Sequence, residues 1–341
     1  MVLNDEWLNQ VPEEVIEPDL PILDPHHHLW DRPGNRYMLE ELVADTTPHS
    51  VRQTVFIECT SMYRATGPEA FRCVGETEFV QGIAAMSASG GFGTMRANAG
   101  IVGSADLRLG DAVAPILEAQ IAASPNRFRG IRHRAAWPMA RPPGPGMPGQ
   151  VPHLLLDPAF RAGFGLLRLY GLTFEAWLFH PDIPDVADLA RAFPETTIIL
   201  NHLGGPILSG EYGTRDEVFA HWKRDIAGVA ACPNVVMKVG GIQMAVNGFG
   251  WHERERPPSS EELLAVNAPW YEHAIEQFGP NRCMFESNFP VDRVSCSYTV
   301  LWNQFKKLTK GFPPGERLAM FHDTAAAVYR LPLAAEQSKG A

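Results

Sequence analysis

The most constraining feature of this sequence is a chain-long alternation between short apolar runs and segments with helical periodicity. Residues 112–123, 183–193, 216–231 and 261–278 place apolar side chains every three to four positions, as amphipathic helices do. Eight apolar, β-branched runs lie between segments of this kind. They are Pro21–His28, Arg52–Cys59, Ala99–Leu107, Phe128–Trp137, Leu172–His180, Thr196–Gly204, Asn234–Ile242 and Arg282–Asn288.

Strands that alternate with helices predict parallel strands joined by helical crossovers. Eight such units predict an α/β fold of the (β/α)8 TIM-barrel type, whose usual size is about 250 residues before insertions. A doubly wound open sheet is the alternative. It is disfavoured because no Gly-x-Gly-x-x-Gly motif follows the first run. We therefore predict a single barrel domain over residues 1–335.

Two segments interrupt the alternation and are predicted to be long loops after the fourth and seventh strands. Pro138–Pro152 contains six prolines and three glycines, a composition that neither a helix nor a central strand tolerates. Gln243–Ser260 is similarly polar and turn-rich. The alternation resumes after each segment, so neither marks a domain boundary. Residues 336–341 are predicted to form a disordered tail.

Composition and charge exclude several classes of partner. A net charge of −10 argues against nucleic acid, and no run approaches the length of a membrane-spanning helix. The five cysteines show no Cys-x-x-Cys spacing and are predicted to be reduced thiols. With an acidic N-terminus that lacks a leader-like pattern, we expect a cytoplasmic protein that acts on a small molecule. A homo-oligomer is left open.

The segment Asp24-Pro-His-His-His-Leu-Trp-Asp31 closes the first apolar run. Side chains two apart on a strand share a face, so His26 and His28 are predicted to point together into the barrel mouth. Two neutral imidazoles placed in this way form half of a zinc-type site. Three consecutive histidines also occur in expression tags and polar turns, but this run is internal and is bounded by a strand.

Two further histidines follow predicted strands. His180 ends the fifth run and His202 lies near the end of the sixth. A single histidine at a strand end is usually structural. Four of them on three strands, at the end of the barrel where such folds place their chemistry, indicate a site.

With these residues in place, the chain resembles the amidohydrolase superfamily, in the branch that contains lactonases of sugar lactones, sulfomuconolactone and pyrone dicarboxylate. The resemblance covers most of the chain. It rests on Asp24–His28, Phe128–His133, Leu200–Pro206 and Phe285–Asp292. It implies that His26, His28 and His180 bind a divalent metal, zinc in the first instance, and that His202 contacts metal or substrate. The branch also contains a lactonase that works without metal, so a metal-free mechanism stays open.

The eighth strand departs from the pattern of that branch, which usually reads Gly-Ser-Asp-Trp-Pro. Here Asn288 takes the place of the aspartate that acts as general base, and a carboxamide has no proton to exchange near neutral pH. Glu286 lies two residues earlier and is predicted to face inward as well. It is a candidate base or orienter of water, and Asp292 and His202 are further candidates. The structural alternative for Glu286 is a buried ion pair with an inward base such as Lys238 or an arginine.

Substrate-binding candidates come from the fourth and first strands. Among Arg129, Arg132, His133 and Arg134, alternation lets only some side chains face inward, and Arg132 with His133 are our candidates. Arginine matches carboxylate geometry and favours an anionic substrate, whereas salt bridging on the outer surface is the alternative. Trp30 and Trp137 are candidate apolar walls for a ring, or are packing residues.

Three functions follow from these expectations. The first is a hydrolase that opens a small lactone or cyclic ester, bearing a carboxylate, by attack of an activated water. The second is a metal-dependent decarboxylase of an aromatic or unsaturated acid. The third is a barrel that binds a ligand without catalysis, a possibility that only Asn288 favours.

Overall fold

Each apolar run contains one strand of a single parallel sheet, because β-branched residues suit strands that are buried on both faces. The computed structural model describes residues 4–137, 151–208 and 212–333. The strands are β1 (Ile22–His27), β2 (Val51–Ile57), β3 (Arg96–Gly103), β4 (Phe128–Arg132), β5 (Thr173–Ala176), β6 (Ile198–Leu200), β7 (Val235–Gly240) and β8 (Cys283–Glu286). They lie side by side in chain order.

The sheet curls until its two edge strands meet. The backbone N–H of Asn288 donates to the carbonyl of His26 at 2.9 Å, and that of His28 donates to the carbonyl of Phe289 at 2.8 Å. These contacts bring the ends of β1 and β8 together at the carboxyl end of the sheet. The predicted (β/α)8 barrel is therefore confirmed.

Helices cover the outside of the barrel. They are α1 (Asp5–Leu8), α2 (Leu39–Thr46), α3 (Val74–Ala88), α4 (Ala114–Ala123), α5 (Pro158–Leu166), α6 (Ile183–Ala192), α7 (Arg215–Ala230), α8 (Ser260–Phe278), α9 (Tyr298–Leu308), α10 (Pro314–Leu318) and α11 (Thr324–Tyr329). Capping boxes begin α7, with Thr214 and Glu217, and α8, with Ser259 and Glu262. Within the described ranges, none of these helices combines the length and apolar character that a membrane crossing requires.

The loops at the carboxyl end of the barrel are described in part. A short hairpin, Trp30–Arg32 paired with Asn35–Tyr37, follows β1. Gln243–Ser260 after β7 contains two short 3-10 turns, Ala245–Asn247 and Trp251–Glu253. Most of the loop predicted after β4, and the whole predicted tail at 336–341, lie outside the described residues.

The barrel interior has an apolar layer below a polar one. Leu23, Val55, Val102, Ile199 and Met284 form the lower layer, and residues of α11 close it from beneath. Above this layer the inward positions carry His26, Glu175, Lys238 and Glu286, all of them fully buried. Buried charges are stable only when they are paired, so this upper layer predicts a dense network of polar contacts.

Candidate active site

Glu286, at the end of β8, lies between two imidazoles. Its Oε1 accepts hydrogen bonds from Nδ1 of His202 at 2.7 Å and from the backbone N–H of His202 at 3.2 Å. Its Oε2 lies 2.8 Å from Nδ1 of His26. The ring centroids of His26 and His202 are 4.5 Å apart. The carboxylate therefore joins β1, β6 and β8 at one point.

The contact with Glu286 determines the protonation of His202. Burial lowers the pKa of the His202 imidazole, and the Glu286 carboxylate opposes this effect. Because a carboxylate can only accept, the proton of the neutral ring resides on Nδ1 and Nε2 keeps its lone pair. His202 therefore has the form that a general base requires.

Lys238 on β7 contacts the same cluster from below. Its Nζ donates to Oε2 of Glu175 at 2.8 Å and lies 3.2 Å from Nδ1 of His26. Burial lowers the pKa of Lys238, and the carboxylates of Glu175 and Glu286 oppose this shift. The ion pair of Lys238 is thus with Glu175, whereas Glu286 contacts the two histidines.

Glu175 is held by further donors in the upper layer of the barrel. Nδ2 of Asn201 and the hydroxyl of Tyr329 both donate to its carboxylate. Tyr329 belongs to α11, so the helix that closes the barrel from beneath also reaches the floor of the site.

His28 stands beside the cluster with a defined tautomer. Its Nδ1 lies 2.8 Å from the carbonyl oxygen of Ile57, which can only accept, so Nδ1 carries the proton and Nε2 is free to bind. Its ring lies 5.0 Å from that of His26. Trp30 stacks on His28 at 5.8 Å and donates from Nε1 to Asn35, so it forms part of the wall around this imidazole.

Two arginines and one carboxylate form the side of the site at the end of β4. Nε of Arg132 donates to Oε1 of Glu58 at 2.7 Å, and its NH1 lies 3.4 Å from Nε2 of His26. Arg134 makes two hydrogen bonds to the same carboxylate, at 2.8 and 3.2 Å. Burial would raise the pKa of Glu58, but the two guanidinium groups outweigh it and hold this pKa below its usual value.

Asn288 and Asp292 form a pair above β8. Nδ2 of Asn288 donates to Oδ1 of Asp292 at 2.9 Å, while Oδ2 of Asp292 accepts from the backbone N–H of Gln243 at 3.1 Å. Burial raises the pKa of Asp292 well above its usual value. Oδ1 of Asn288 is buried and has no hydrogen-bond partner among the described residues.

The structure places His180 apart from this group. Its Nδ1 accepts from the backbone N–H of Ile207 at 3.3 Å, and its ring packs 5.2 Å from that of Tyr212. The reason is that β5 ends at Ala176, so the alternation of strand side chains does not extend to position 180. Trp177 lies next to His202 instead, with ring centroids 4.7 Å apart. Among the described residues, the group of possible ligand atoms within 4.8 Å of one another contains His26, His202 and Glu286 and does not include His180.

Two substrate-binding candidates also lie elsewhere. His133 alternates with Arg132 and faces outward, where its ring packs 5.6 Å from Phe160 and its Nδ1 accepts from the backbone N–H of Leu107. Trp137 is 42% exposed and is the last residue described before the loop after β4. Neither is part of the cluster around Glu286.

Three residues of the site were not singled out from the sequence. Glu58 and Glu175 are buried carboxylates at the carboxyl ends of β2 and β5, and Trp177 is an aromatic residue one position past β5. A charged residue within an otherwise apolar run is the signal that could have identified both glutamates, because such a residue must have a buried partner.

The cluster also fits a divalent metal. His26, His202 and Glu286 each offer one ligand atom, and these atoms lie within 4.8 Å of one another. Nδ1 of His26 lies 3.2 Å from Nζ of Lys238 and 2.8 Å from Oε2 of Glu286, an oxygen with no hydrogen-bond partner among the described residues. Two imidazoles with one carboxylate, one oxygen of which is buried without a hydrogen-bond partner among the described residues, suit zinc.

Eight parallel strands with a buried histidine and carboxylate cluster at their carboxyl ends are typical of a barrel enzyme. A profile of the amidohydrolase family, Amidohydro_2, matches residues 23–331. The chain therefore belongs to the amidohydrolase family.

Relatives and solved structures agree with this assignment. The uncharacterized protein y4mH of Sinorhizobium fredii is 32% identical over 335 residues, which cover 92% of this chain and 99% of that protein. L-fucono-1,5-lactonase of Burkholderia multivorans is 25% identical over 317 residues, which cover 91% and 96%. An amidohydrolase of Burkholderia multivorans, solved with bound zinc, has the same fold, with a TM-score of 0.70, 24% identity and coverage of 92% and 100%.

Proposed function

We propose that this chain hydrolyses a small lactone, and that the pair of Glu286 and His202 activates the attacking water. The observation that carries the proposal is the buried contact of 2.7 Å between Oε1 of Glu286 and Nδ1 of His202. It keeps the proton on Nδ1 and leaves Nε2 as the acceptor for a proton of water. The name of the lactonase relative supports a lactone over other esters.

The chemical steps balance with these groups. Nε2 of His202 takes one proton as the water oxygen attacks the lactone carbonyl carbon, and Glu286 stabilises the resulting imidazolium. The ring C–O bond then breaks, and His202 returns the proton to the leaving oxygen, which gives a hydroxy acid. Arg132, with NH1 3.4 Å from Nε2 of His26, supplies positive charge where the carbonyl oxygen becomes an oxyanion.

Asn288 and Asp292 act as positioning residues in this proposal. Asp292 fixes the amide of Asn288 by accepting from Nδ2, so Oδ1 is the atom of Asn288 that remains able to accept a hydrogen bond. The role of base that an aspartate would have at position 288 passes to His202, supported by Glu286. This division of roles accounts for a carboxamide where the branch has a carboxylate.

The substrate carries a carboxylate in this proposal. Arg132 and Arg134 share the single carboxylate of Glu58, so the side of the site at the end of β4 has one more positive charge than that carboxylate balances. Glu76 does not cancel that charge at neutral pH, because burial and the neighbouring charge of Glu58 raise its pKa to about 8. A guanidinium in excess at the mouth favours an anionic group on the substrate.

The proposal includes a second form of the site, in which a divalent metal ion, zinc in the first instance, is bound. His26, His202 and Glu286 are the residues that would hold it, with His28 beside them. When bound, such an ion polarises a carbonyl and acidifies water. Elemental analysis of protein purified without a polyhistidine tag or chelator distinguishes this form from the metal-free route.

The test is a panel of lactones in matched pairs, one neutral and one carboxylated member of each ring size, including L-fucono-1,5-lactone. Acid release is followed with a pH indicator, and release of carbon dioxide from aromatic acids is measured in parallel. We expect acid release above the background rate, faster for the carboxylated member of a pair. The control is His202→Gln, which lacks the base and is expected to lose activity.

Each other outcome has a definite meaning. Release of carbon dioxide without lactone opening would favour the decarboxylase. Stabilisation by a lactone without turnover would favour a ligand-binding barrel. Faster opening of the neutral members would leave the hydrolase in place but remove the carboxylate from the substrate.

A further inference from the structure

A cavity of about 270 Å³ lies at the end of the barrel opposite the candidate active site. Gln53, at the start of β2, Arg96, the first residue of β3, and Arg127, just before β4, contribute to its lining. These positions are at the amino ends of parallel strands, whereas the cluster around Glu286 is at their carboxyl ends.

Four arginines line this cavity, and three of them come from the amino ends of β3 and β4. They are Arg96, Arg127, Arg129 and Arg330. Arg330 directly follows α11. The sequence offers Arg129 as one of four possible substrate-binding residues. In the structure it lies near the amino end of β4, whereas Arg132 lies at the carboxyl end of that strand.

None of these four arginines forms an ion pair with an aspartate or glutamate within the part of the chain that the structure describes. Arginines elsewhere, such as Arg36, Arg64 and Arg161, do have such partners. The grouping is unexpected in a chain with a net charge of −10. Several positive charges around one cavity repel one another unless an anion lies among them.

Hydrogen bonds to the protein hold the guanidinium groups of Arg129, Arg127 and Arg96 and still leave donors unused. Arg129 donates to three backbone carbonyls, those of Tyr329, Phe128 and Asn126. Arg127 donates to Oε1 of Gln81, and Arg96 donates to the carbonyl of Thr94. A guanidinium has five N–H donors, so each of these side chains retains donors for a ligand.

Electrostatic crowding is consistent with this arrangement. Burial lowers the pKa of Arg129, and the charges of Arg330 and Arg127 lower it further. Burial also lowers the pKa of Arg330. A bound anion would relieve the repulsion that Arg330 and Arg127 exert on Arg129.

The apolar residues of the cavity and its volume limit the size and chemistry of the ligand. Ala84, Ala88, Ala97 and Leu331 provide an apolar surface beside the arginines. Arginine forks match the paired oxygens of phosphate and carboxylate groups. The volume is at the lower limit of ordinary ligand pockets, so a small molecule fits best. We propose that this cavity binds a small dianion, a phosphate ester or a dicarboxylate, at the face opposite the catalytic cluster.

The test is isothermal titration calorimetry, with thermal unfolding in parallel, on the full chain with inorganic phosphate and with succinate at matched ionic strength in chloride. The variants are Arg96→Gln and Arg330→Gln, whose side chains are exposed and can be replaced without a packing defect. Arg168→Gln, a surface arginine paired with Glu195, is the matched control. We expect saturable binding to the wild type and to the control. Each cavity variant should weaken it by about tenfold, or about 1.4 kcal/mol, because one charge-assisted hydrogen bond to the anion is lost.

A preference for phosphate over succinate, or the reverse, identifies which class of dianion the cavity takes. Without any added anion, both cavity variants should be at least as stable as the wild type, because each removes a repelling charge. Two results would overturn the proposal. One is the absence of binding beyond the effect of chloride. The other is equal binding by the wild type and both cavity variants, which would place the anion elsewhere, for example at Arg132 and Arg134.

Discussion

At the scale of single residues, the chemistry of the candidate site depends on one carboxylate that contacts two imidazoles. Glu286 accepts from His202, and its other oxygen lies 2.8 Å from Nδ1 of His26. A neutral amide at this position could still accept a hydrogen bond, but it could not stabilise an imidazolium. The negative charge is therefore the property to remove.

Glu286→Gln is expected to lower kcat by about 100-fold to 10,000-fold with a small change in KM, because the amide preserves shape while the charge that supports the base is lost. The measurement is the pH dependence of kcat and kcat/KM on the best lactone of the panel. Glu276→Gln, at an exposed position, is the control and should behave as the wild type. Unaltered turnover by Glu286→Gln would remove Glu286 from the mechanism.

Alternation along a strand predicted the location of some site residues and not their partners. His26 and Glu286 follow directly from the period of two, because each lies within or at the end of a regular strand. The same alternation does not identify the ion-pair partner of Lys238, because Glu175 and Glu286 both face inward from other strands. Choosing between them requires the distances across the barrel.

At the scale of elements, the ends of strands decide which side chains reach the site. The apolar run from Leu172 continues through Trp177, Leu178 and Phe179, so composition alone does not reveal that β5 ends at Ala176. The backbone leaves the sheet there because a 3-10 turn begins at His180 and leads into α6. A histidine four residues past a strand is thus positioned by the turn and not by the barrel.

The end of β7 provides a test of how closely His202 is confined. Gly241 follows that strand at a φ of +66°, and a Cβ there would lie 1.9 Å from Nδ1 of His202. Gly241→Ala should therefore displace the imidazole from Glu286 and lower kcat by about 100-fold, since a shift of about 1 Å has that effect on a catalytic group. The measurement is kcat together with the free energy of unfolding.

Gly279→Ala separates this steric effect from backbone strain. Gly279 also has a positive φ, +75°, but a Cβ there would meet nothing within 4 Å. It should lose about 1–3 kcal/mol of stability, because a φ of +75° with a ψ of 153° suits only glycine, and it should lose no activity. If both variants kept wild-type kcat, His202 would not be confined as we describe.

At the scale of the whole molecule, the barrel was predictable because its signal is repeated eight times along the chain. Convergence of β1, β6 and β8 on one cluster follows from that fold alone. The charge network around β2 and β4 was not predictable, because Glu58 takes two arginines that lie 74 and 76 residues further along the chain. Sequence spacing contains no information about such pairings.

That network also contains a buried acid whose titration affects the stability of the whole fold. Oε1 of Glu76 accepts from the backbone N–H groups of Cys59 and Ser61 at 2.9 and 2.7 Å. Oε2 is buried without a hydrogen-bond partner among the described residues. Burial, and then the charge of Glu58, raise the pKa of Glu76 from 4.5 to about 8.

Between those two values the folded protein keeps a proton that the unfolded chain has released. The free energy of unfolding should therefore fall as pH rises from about 4.5 to about 8, by a total on the order of 5 kcal/mol from this group. Glu76→Gln keeps the Oε1 acceptor and removes the titration, so its urea-unfolding stability should decline less over this range. Glu78 is exposed on the same helix, and its pKa is lowered, so this carboxyl titrates below pH 4.5. The stability of Glu78→Gln should therefore change with pH between 4.5 and 8 as that of the wild type does. A decline equal to that of the wild type in Glu76→Gln would show that another group controls stability above pH 4.5.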